Sequence, residues 1–343
     1  MPAVDGRSGS TAARSRPAPP AVSGRQVGPY GLATATPKLK GSDDPVEGRR
    51  TERHTASASR QEQDLPYQQR IDRAHPALVL MVLDQSSSMS GDMAGATVAK
   101  ERALADAVNR IIYELVLRCV KNATEGPRHY YDLGLIGYGP PNDYTGGEAG
   151  PAWSGKLAGR TVVSSVDVAH NPVHLVSVPN GQGAQVRSPV WYQPVSEGTT
   201  PMCEALHLAG ETTAEWIRRH PDSFPPVLIH VTDGASTDGD PRVWGERIQQ
   251  LATTDGNVLL LNLSLSQDEN ASRFPADRRT LRDRAARELF DMSSVLPPFM
   301  LAAARASGLD VPDGGRGFVN NADIAAVVTF FQIGTATIHQ MVS

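Results

Sequence analysis

The run LMVLDQSSSM at residues 80–89 decides the fold class, because it joins an apolar stretch directly to a cluster of oxygen-bearing side chains. Residues 77–83 are apolar throughout, which predicts a buried strand of a parallel sheet. After this strand, Asp84, Ser86 and Ser88 supply one carboxylate and two hydroxyls on alternate residues. Open α/β sheets bind their ligands at this carboxyl edge of the strands. The run therefore predicts a divalent-cation site at the edge of an α/β sheet.

Two further oxygen-bearing residues follow at places where the same sheet edge would bring them close. Thr200 ends a Gly-Thr-Thr run just before a helical pattern, and Asp233 follows the apolar strand at 227–231. Two carboxylates and three hydroxyls suit Mg²⁺, which prefers oxygen ligands in an octahedron and keeps several waters. Thr199 is the alternative ligand, although the spacing to the helical residues 204–206 favours Thr200. Because only two of the five ligands are negatively charged, an acidic side chain of a partner can bind the same cation.

Strands and helices alternate along most of the chain from residue 77 onward. The predicted strands cover residues 77–83, 131–138, 227–231 and 257–265. The predicted helices cover residues 96–120, 202–218, 241–253, 280–290, 298–306 and 321–331. This alternation predicts a doubly wound α/β fold, in which a mainly parallel sheet carries helices on both faces.

A stretch rich in Gly and Pro, at about 140–197, interrupts the alternation. It contains β-type runs at residues 160–168, 173–178 and 188–192. We therefore expect a β-rich insertion in the connection that leads to Thr200, beside the predicted metal edge.

The N-terminal segment differs from the rest of the chain in composition and in charge. Residues 1–72 are rich in Pro, Ser, Ala, Gly, Arg and Thr and have almost no periodic apolar residues, which predicts a disordered tail. Residues 1–75 carry 12 basic and 8 acidic residues, whereas the remainder carries 21 basic and 29 acidic ones, a net charge of −8. An acidic domain argues against binding a phosphate backbone, so we expect no nucleic-acid partner.

The cysteines and the apolar stretches indicate the compartment. Cys119 and Cys203 are the only cysteines, and both fall in predicted helices, which favours free thiols in a reducing environment. The N-terminus has no apolar core of a secretory signal, and the apolar stretch at 324–331 is too short to span a bilayer. We expect a cytoplasmic protein without a membrane partner.

Three stretches also resemble a known family. They are LDQSSSM at 83–89, GTTPMCEAL at 198–206 and HVTDG at 230–234. The chain is similar to von Willebrand factor type A (vWA) domains with a metal-ion-dependent adhesion site (MIDAS). It is most similar to stand-alone bacterial versions, including those associated with tellurite resistance. The resemblance spans roughly residues 77–335, and on this basis residues 73–343 are interpreted as the vWA domain.

The resemblance carries expectations about the site and its partners. It implies that Asp84, Ser86, Ser88 and Thr200 approach Mg²⁺ or Mn²⁺ directly or through water, and that Asp233 usually acts through water. It implies a protein-binding module and not an enzyme, whose bound metal recognises an Asp or Glu of a partner protein. It also suggests a bacterial signalling or stress-response assembly, sometimes with kinases and phosphatases encoded alongside.

Two other functions are weighed against this one. A Mg²⁺-dependent phosphohydrolase is disfavoured, because the strand-end loop has a single carboxylate and position 86 is Ser, so the usual second Asp is absent. A structural scaffold with a vestigial metal site stays open, because Ser87 and Thr199 stand where many bacterial relatives have Gly. His230, inside the strand before Asp233, is expected to be a hydrogen-bonded core histidine and not a catalytic base.

Overall fold

The computed structural model describes residues 66–122, 124–140, 146–179, 185–265 and 271–335, and its central feature is an eight-stranded sheet. The strands of this sheet are β1 (Ala77–Asp84), β2 (Tyr131–Tyr138), β3 (Ala149–Pro151), β4 (Val162–Ser164), β7 (Val227–Thr232), β10 (Leu259–Ser264), β11 (Ser272–Arg273) and β12 (Phe318–Asn320). Two separate hairpins pair β5 (His174–Pro179) with β6 (Gln185–Val190) and β8 (Ala252–Thr253) with β9 (Gly256–Asn257).

The middle of the sheet is parallel. Its strands lie in the order β12, β10, β7, β1 and β2, and every neighbouring pair in this set is parallel. The remaining strands, β11, β3 and β4, pair antiparallel at the two sides. The prediction of an α/β protein with a largely parallel sheet is confirmed.

Seven α-helices occur in the described parts of the chain. They are α1 (Lys100–Arg118), α2 (Ser165–His170), α3 (Met202–Arg219), α4 (Arg242–Gln250), α5 (Arg284–Asp291), α6 (Pro298–Ala306) and α7 (Ile324–Gly334). Three short 3₁₀ helices cover Ser87–Ser90, Gly155–Leu157 and Arg278–Thr280.

Every residue of β1 is buried, because successive side chains enter two different apolar clusters. Val79 and Met81 join the cluster that also holds side chains of α1, α2, α6 and α7. Leu78 and Leu80 join the cluster that holds side chains of α3, α4 and α5. Each fully buried side chain of this size contributes roughly 1.5–3 kcal/mol to folding. This burial holds the end of β1, and the polar loop that follows it, in a fixed position.

The first long helix starts four residues later than the prediction of 96–120. Ala99 has an extended backbone, and it forms an isolated bridge with Asp92. The backbone N–H of Lys100 donates to the carbonyl of Gly91 at 2.9 Å. Residues 91–99 therefore form a closed loop before α1, and the apolar periodicity alone did not reveal it.

The β-type run predicted at 160–168 is wrong in its second half. Only Val162–Ser164 is a strand, and Ser165–His170 is helix α2. The Ser164 side chain accepts a hydrogen bond from the N–H of Asp167 at 3.1 Å, which caps the helix. Ser followed three residues later by an acidic residue is a helix-start signal, and here it outweighs the β-branched residues.

The helix predicted at 241–253 is also too long, and the strand predicted at 257–265 is divided. Helix α4 ends at Gln250, and Ala252–Thr253 pair with Gly256–Asn257 across a two-residue turn. The two turn residues are Thr254 and Asp255, and Gly256, the first residue of the returning strand, adopts a positive φ of 143° that glycine accommodates. Strand β10 then starts at Leu259.

Asp residues set the starts of two later helices. The side chain of Asp283 accepts from the N–H of Ala286 at 2.8 Å, so α5 starts at Arg284 and not at 280. Asp323 caps α7 in the same way, by accepting from Ala326 N–H at 2.6 Å. The helix predicted at 298–306 has those bounds in the structure.

The segment between β2 and α3 contains β3, β4, α2, β5 and β6. Its ends are anchored, since β3 and β4 pair with β2, and the side chain of Asn109 in α1 accepts from the N–H groups of Trp191 and Tyr192 at 2.8 and 3.0 Å. Both aromatic rings are buried. The residues that precede the Thr200 loop are therefore held in place by the sheet and by α1.

The tail predicted at 1–72 lies outside the described residues as far as residue 65, but its last part is in contact with the domain. Ile71 is fully buried, and the Tyr67 ring packs against Phe224 and Phe299. Both carboxylate oxygens of Asp255 accept backbone N–H groups of residues 68 and 69. Residues 66–72 therefore contribute to the core near the start of the parallel strands.

Two expectations concern the chain as a whole. Cys119 and Cys203 are both buried and free of a disulfide, as predicted. Within the described ranges, no helix combines the length and the apolar character needed to cross a membrane.

Candidate functional site

Asp84 ends β1 with its carboxylate fully buried at the carboxyl edge of the parallel strands. One carboxylate oxygen accepts from the Thr232 hydroxyl at 2.6 Å, and the other accepts from the backbone N–H of Ser86 at 2.9 Å. Burial raises the pKa of Asp84, and the hydrogen bonds from Ser86 and Thr232 offset only part of that rise. No cationic side chain pairs with Asp84 among the described residues, so all its partners are neutral donors.

The loop after β1 links Asp84 to Asp233 through two serine hydroxyls. The Ser86 and Ser88 hydroxyl oxygens are 3.0 Å apart, and the Ser88 hydroxyl donates to Asp233 at 2.6 Å. Because the single Ser88 proton goes to Asp233, the Ser86 hydroxyl is the donor in the serine pair. The structure thus brings four of the five predicted ligands into one continuous hydrogen-bonded chain.

Lys100 adds a positive charge that the sequence analysis did not place at this site. Its ammonium group donates to the second carboxylate oxygen of Asp233 at 2.8 Å, and the two side chains are only 10% and 1% exposed. Lys100 is the first residue of α1, so the loop of residues 91–99 separates it in sequence from the serines. Lys100 falls within the helix predicted at 96–120, and the spacing of apolar residues in that helix did not reveal this contact.

The fifth predicted ligand, Thr200, is joined to the Asp233 loop through its backbone. Its N–H donates to the Thr237 hydroxyl at 3.1 Å, and its carbonyl accepts from the N–H of Thr237 at 3.0 Å. Its own hydroxyl makes no hydrogen bond to any residue that the structure describes. Thr200 is buried beside the loop that carries Asp233, but it is not part of the hydrogen-bonded chain from Asp84 to Asp233.

Asp238 provides a second link between the same two loops. Its carboxylate oxygens accept the backbone N–H groups of Cys203 and Glu204, both at 2.9 Å, at the start of α3. Ser236 donates to the same carboxylate at 2.7 Å. Thr237 and Asp238 were missed in the sequence analysis, although they follow Asp233 closely in a stretch rich in Ser, Thr, Asp and Gly.

The two positions that depart from the bacterial pattern have ordinary backbone conformations. Ser87 and Thr199 are not among the described non-glycine residues with positive φ. The left-handed conformation falls instead on the adjacent Gly198, at φ 74°, where an added Cβ would lie 1.8 Å from the carbonyl oxygen of Gly139. Ser and Thr therefore cause no backbone strain at these two positions.

A buried polar chain supports the site from behind. His230 is fully buried, with Nε2 2.8 Å from the Tyr138 hydroxyl and Nδ1 2.9 Å from the Asn262 carbonyl oxygen. Because an amide oxygen only accepts, Nδ1 carries the proton and Nε2 accepts from Tyr138. Burial lowers the pKa of His230 to about 4, so the ring is neutral. The expectation of a hydrogen-bonded core histidine is confirmed.

The donor set fits a hard divalent cation. Asp84, Ser86, Ser88 and Asp233 offer carboxylate and hydroxyl oxygens within one short hydrogen-bonded chain, and Mg²⁺ needs only a few such ligands besides water. Among the described residues, no three His, Cys, Asp or Glu side chains form a metal-holding group. The fit therefore depends on the serine and threonine hydroxyls as well as on the two carboxylates.

A shallow groove of about 540 Å³ starts at Asp233 and runs along the start of α5. Small residues form much of its wall, including Gly234, Ala235 and Ala285. Arg282 also lines the groove, and it makes no hydrogen bond or ion pair with the described residues.

The known proteins that resemble the chain include two solved structures of low sequence identity. No protein-family model and no curated protein matches the chain. A solved structure of proximal thread matrix protein 1 from the mussel byssus is 12% identical to this chain, with a TM-score of 0.41. The match covers 77% of this chain and 48% of the mussel protein chain. The pilus adhesin SpaC from Lactobacillus rhamnosus GG is 11% identical to this chain, with a TM-score of 0.45. The match covers 80% of this chain and 32% of the adhesin chain.

This chain therefore spans about half of the first protein and a third of the second. At these scores neither likeness carries an argument about the family or the function.

Proposed function

We propose that this chain is a doubly wound vWA domain with a MIDAS and a β-rich insertion before Thr200, and that it is a metal-dependent protein-binding module. Asp84, Ser86, Ser88, Thr200 and Asp233 hold Mg²⁺ or Mn²⁺, directly or through water. The observation that carries the proposal is the hydrogen-bonded chain from Asp84 through both serines to Asp233, at the carboxyl edge of the parallel sheet.

The charges of the site support an acidic partner. Asp84 and Asp233 supply two negative charges, and the ammonium group of Lys100 already neutralises one of them. A divalent cation, two carboxylates and one lysine ammonium group together give the region a net charge of +1, so a carboxylate from outside completes the ligand shell of the cation favourably. The partner residue in this proposal is an Asp or Glu of another protein.

The groove beside Asp233 supports the same kind of partner. Within the described ranges Arg282 has no ion pair, whereas the neighbouring Arg278, Arg279 and Arg284 pair with Asp291, Asp277 and Glu288. A guanidinium in the wall of the groove, without an ion pair to any residue that the structure describes, provides a second contact for an acidic segment. In this proposal the protein works in the cytoplasm, in a bacterial signalling or stress-response assembly that includes a kinase or phosphatase system.

A phosphohydrolase is the less favoured function. The end of β1 and residues 85–90 carry one carboxylate, that of Asp84, and it accepts hydrogen bonds from Thr232 and Ser86. A nucleophile and a separate acid are both needed for the usual aspartyl phosphate chemistry. A structural role without metal would be favoured only if the full-length protein bound no divalent cation under any condition.

Calorimetric titration of Mg²⁺ and Mn²⁺ into the full-length protein tests the proposal. We expect saturable binding by the wild type and its loss, by about 100-fold or more in affinity, in Asp84→Ala, because the variant removes the main anionic ligand. Asp167→Ala is a control that removes an exposed carboxylate of α2, and its affinity should equal that of the wild type.

A wild type that binds neither metal, even with added acetate to supply the partner's carboxylate, would refute the proposed function. Binding that appears only with acetate would instead support it, because an outside carboxylate then completes the shell.

A further inference from the structure

The ion pair between Lys100 and Asp233 is the most unusual feature of the site. Lys100 is a nearly buried lysine whose ammonium group contacts a proposed metal ligand at 2.8 Å. The other oxygen of Asp233 accepts from Ser88 at 2.6 Å. Both oxygens of this carboxylate are thus engaged by side chains of the chain itself.

The closed loop of residues 91–99 fixes the backbone position of Lys100. The N–H of Lys100 donates to the carbonyl of Gly91, and the N–H of Met93 donates to the carbonyl of Val98 at 2.8 Å. Met93 is buried and anchors the loop in the core. An added Cβ on Gly91 would lie 3.8 Å from the Lys100 nitrogen, so the lysine side chain folds back over the start of its own loop.

An ammonium group and a divalent cation compete for the same carboxylate. Both are attracted to Asp233, and they repel each other strongly in a site where the carboxylate is only 1% exposed, because water screens the charges poorly there. Lysine has a flexible stem of four carbons, so its ammonium group can leave Asp233 without unfolding the helix. A metal ion beside Asp84 and Asp233 therefore favours withdrawal of Lys100.

We propose that Lys100 is a built-in competitor of the divalent cation and sets the cation affinity of this site. The inference rests on the proposed function, since it requires a cation to bind between Asp84 and Asp233. Lys100 holds Asp233 in the metal-free protein, and cation binding moves its ammonium group away.

The test compares Mg²⁺ affinity in three full-length proteins by calorimetry. They are the wild type, Lys100→Met and Lys121→Met. Methionine keeps the apolar stem of lysine and removes its charge, and Lys121 is an exposed lysine just beyond the other end of α1. We expect Lys100→Met to bind Mg²⁺ about tenfold more tightly than the wild type, the size expected from one charged hydrogen bond. Lys121→Met should bind like the wild type.

A second measurement follows the wild type during Mg²⁺ titration and needs a variant, Lys100→Arg or Lys100→Met, only to assign one signal. Nitrogen-15 NMR of lysine ammonium groups detects Lys100 as a signal protected by its ion pair with Asp233, assigned by its loss in Lys100→Met or in Lys100→Arg. We expect Mg²⁺ to remove that protection at the concentration at which calorimetry records binding. A protected signal that persists at saturating Mg²⁺ would overturn the inference.

The outcomes separate this inference from the proposed function. Equal or weaker Mg²⁺ binding by Lys100→Met, beside a wild type that binds Mg²⁺, overturns the competitor role and leaves the metal site in place. Binding by Lys100→Met without acetate, beside a wild type that binds only with acetate, supports both, because the lysine then outcompetes the ion until an outside carboxylate completes the ligand shell. Absence of binding in both proteins, with and without acetate, overturns both.

Discussion

Asp84 and Asp132 are two buried carboxylates at opposite ends of the same pair of parallel strands, and their surroundings differ in kind. Asp84 ends β1, whereas Asp132 lies near the start of β2, in register with Leu78. Asp132 accepts from the His129 ring at 2.7 Å and from the Trp216 ring N–H at 2.8 Å. Among the described residues, Asp84 accepts from one hydroxyl and one backbone N–H.

The two environments shift the acidity of the carboxyl groups in opposite directions. Burial acts to raise the pKa of both, and at Asp84 it prevails over the hydrogen bonds from Ser86 and Thr232. At Asp132 the hydrogen bonds from His129 and Trp216 prevail, so its pKa lies below the ordinary value. A carboxylate with a cationic partner within the chain stabilises the fold, whereas one with neutral donors is suited to an external cation.

The largest expected effect comes from replacing each carboxylate with an amide. We expect Asp132→Asn to lower the free energy of unfolding by about 2 kcal/mol, because one amide oxygen is left for two ring N–H donors and the charge is lost. Urea denaturation of the full-length protein at neutral pH measures the change. Mg²⁺ binding by this variant should match that of the wild type.

Asp84→Asn is the matched variant at the other end of the strands. We expect its stability to stay within about 1 kcal/mol of the wild type, because the Thr232 hydroxyl has a second acceptor, the Gly234 carbonyl at 3.3 Å, and its oxygen can then accept from the new amide. Its Mg²⁺ binding should be lost. Equal destabilisation by both substitutions would contradict the distinction between a structural and a functional carboxylate.

The parallel core of the fold was predictable because its strands are apolar on both faces. β1, β7 and β10 are continuous runs of buried residues, and the α/β class follows from their alternation with amphipathic helices. Helix and strand ends were predicted less well, since single capping contacts decide them. Ser164 converts the end of a β-type run into a helix start, and Asp283 delays the start of α5.

The site was predictable to the extent that its residues follow strand ends. Asp84 and Asp233 end or follow neighbouring parallel strands, and strands in register bring such residues together. Lys100 was not predictable, because its contact depends on how the loop of residues 91–99 folds back. Thr237 and Asp238 contact Thr200 and the start of α3 across separate loops, and no local periodicity encodes such a contact.

The link between Thr200 and Thr237 gives the next largest expected effect. Thr237→Val removes the hydroxyl that accepts the Thr200 N–H, so the loop carrying Thr200 loses one of its attachments to the Asp233 loop. We expect Mg²⁺ affinity to fall about tenfold, with a change in unfolding free energy of about 1 kcal/mol or less. Calorimetry and urea denaturation of the full-length variant measure the two quantities.

Thr254→Val is the matched control, since Thr254 is also exposed and its hydroxyl bonds to Asp222 at 3.2 Å near the start of the parallel strands. Its Mg²⁺ affinity should not change. A similar loss of affinity in both variants would mean that threonine hydroxyls act through general stability and not through the position of Thr200.

The smallest expected effect is on the pH dependence of stability, and it concerns the ion pair of Asp132 with His129. The hydrogen bond from Asp132 raises the pKa of His129 above its ordinary 6.5, so the stability from protonated His129 is fully present below pH 6.5 and is lost as pH rises through the raised value. The lowered pKa of Asp132 gives stability that is present above its ordinary 3.8 and is lost as pH falls through the lowered value. Their joint contribution is therefore complete between pH 3.8 and 6.5.

His129→Gln tests this window by thermal unfolding across the pH range. We expect the variant to be less stable than the wild type near pH 5 to 6, with a difference that shrinks as pH rises through the raised pKa of His129. Because the His129 side chain is 41% exposed, solvent screens the pair and the difference stays small. A difference that grows toward high pH would mean that His129 acts on Asp132 as a neutral hydrogen-bond donor, and the contrast with Asp84 would then rest on geometry and not on charge.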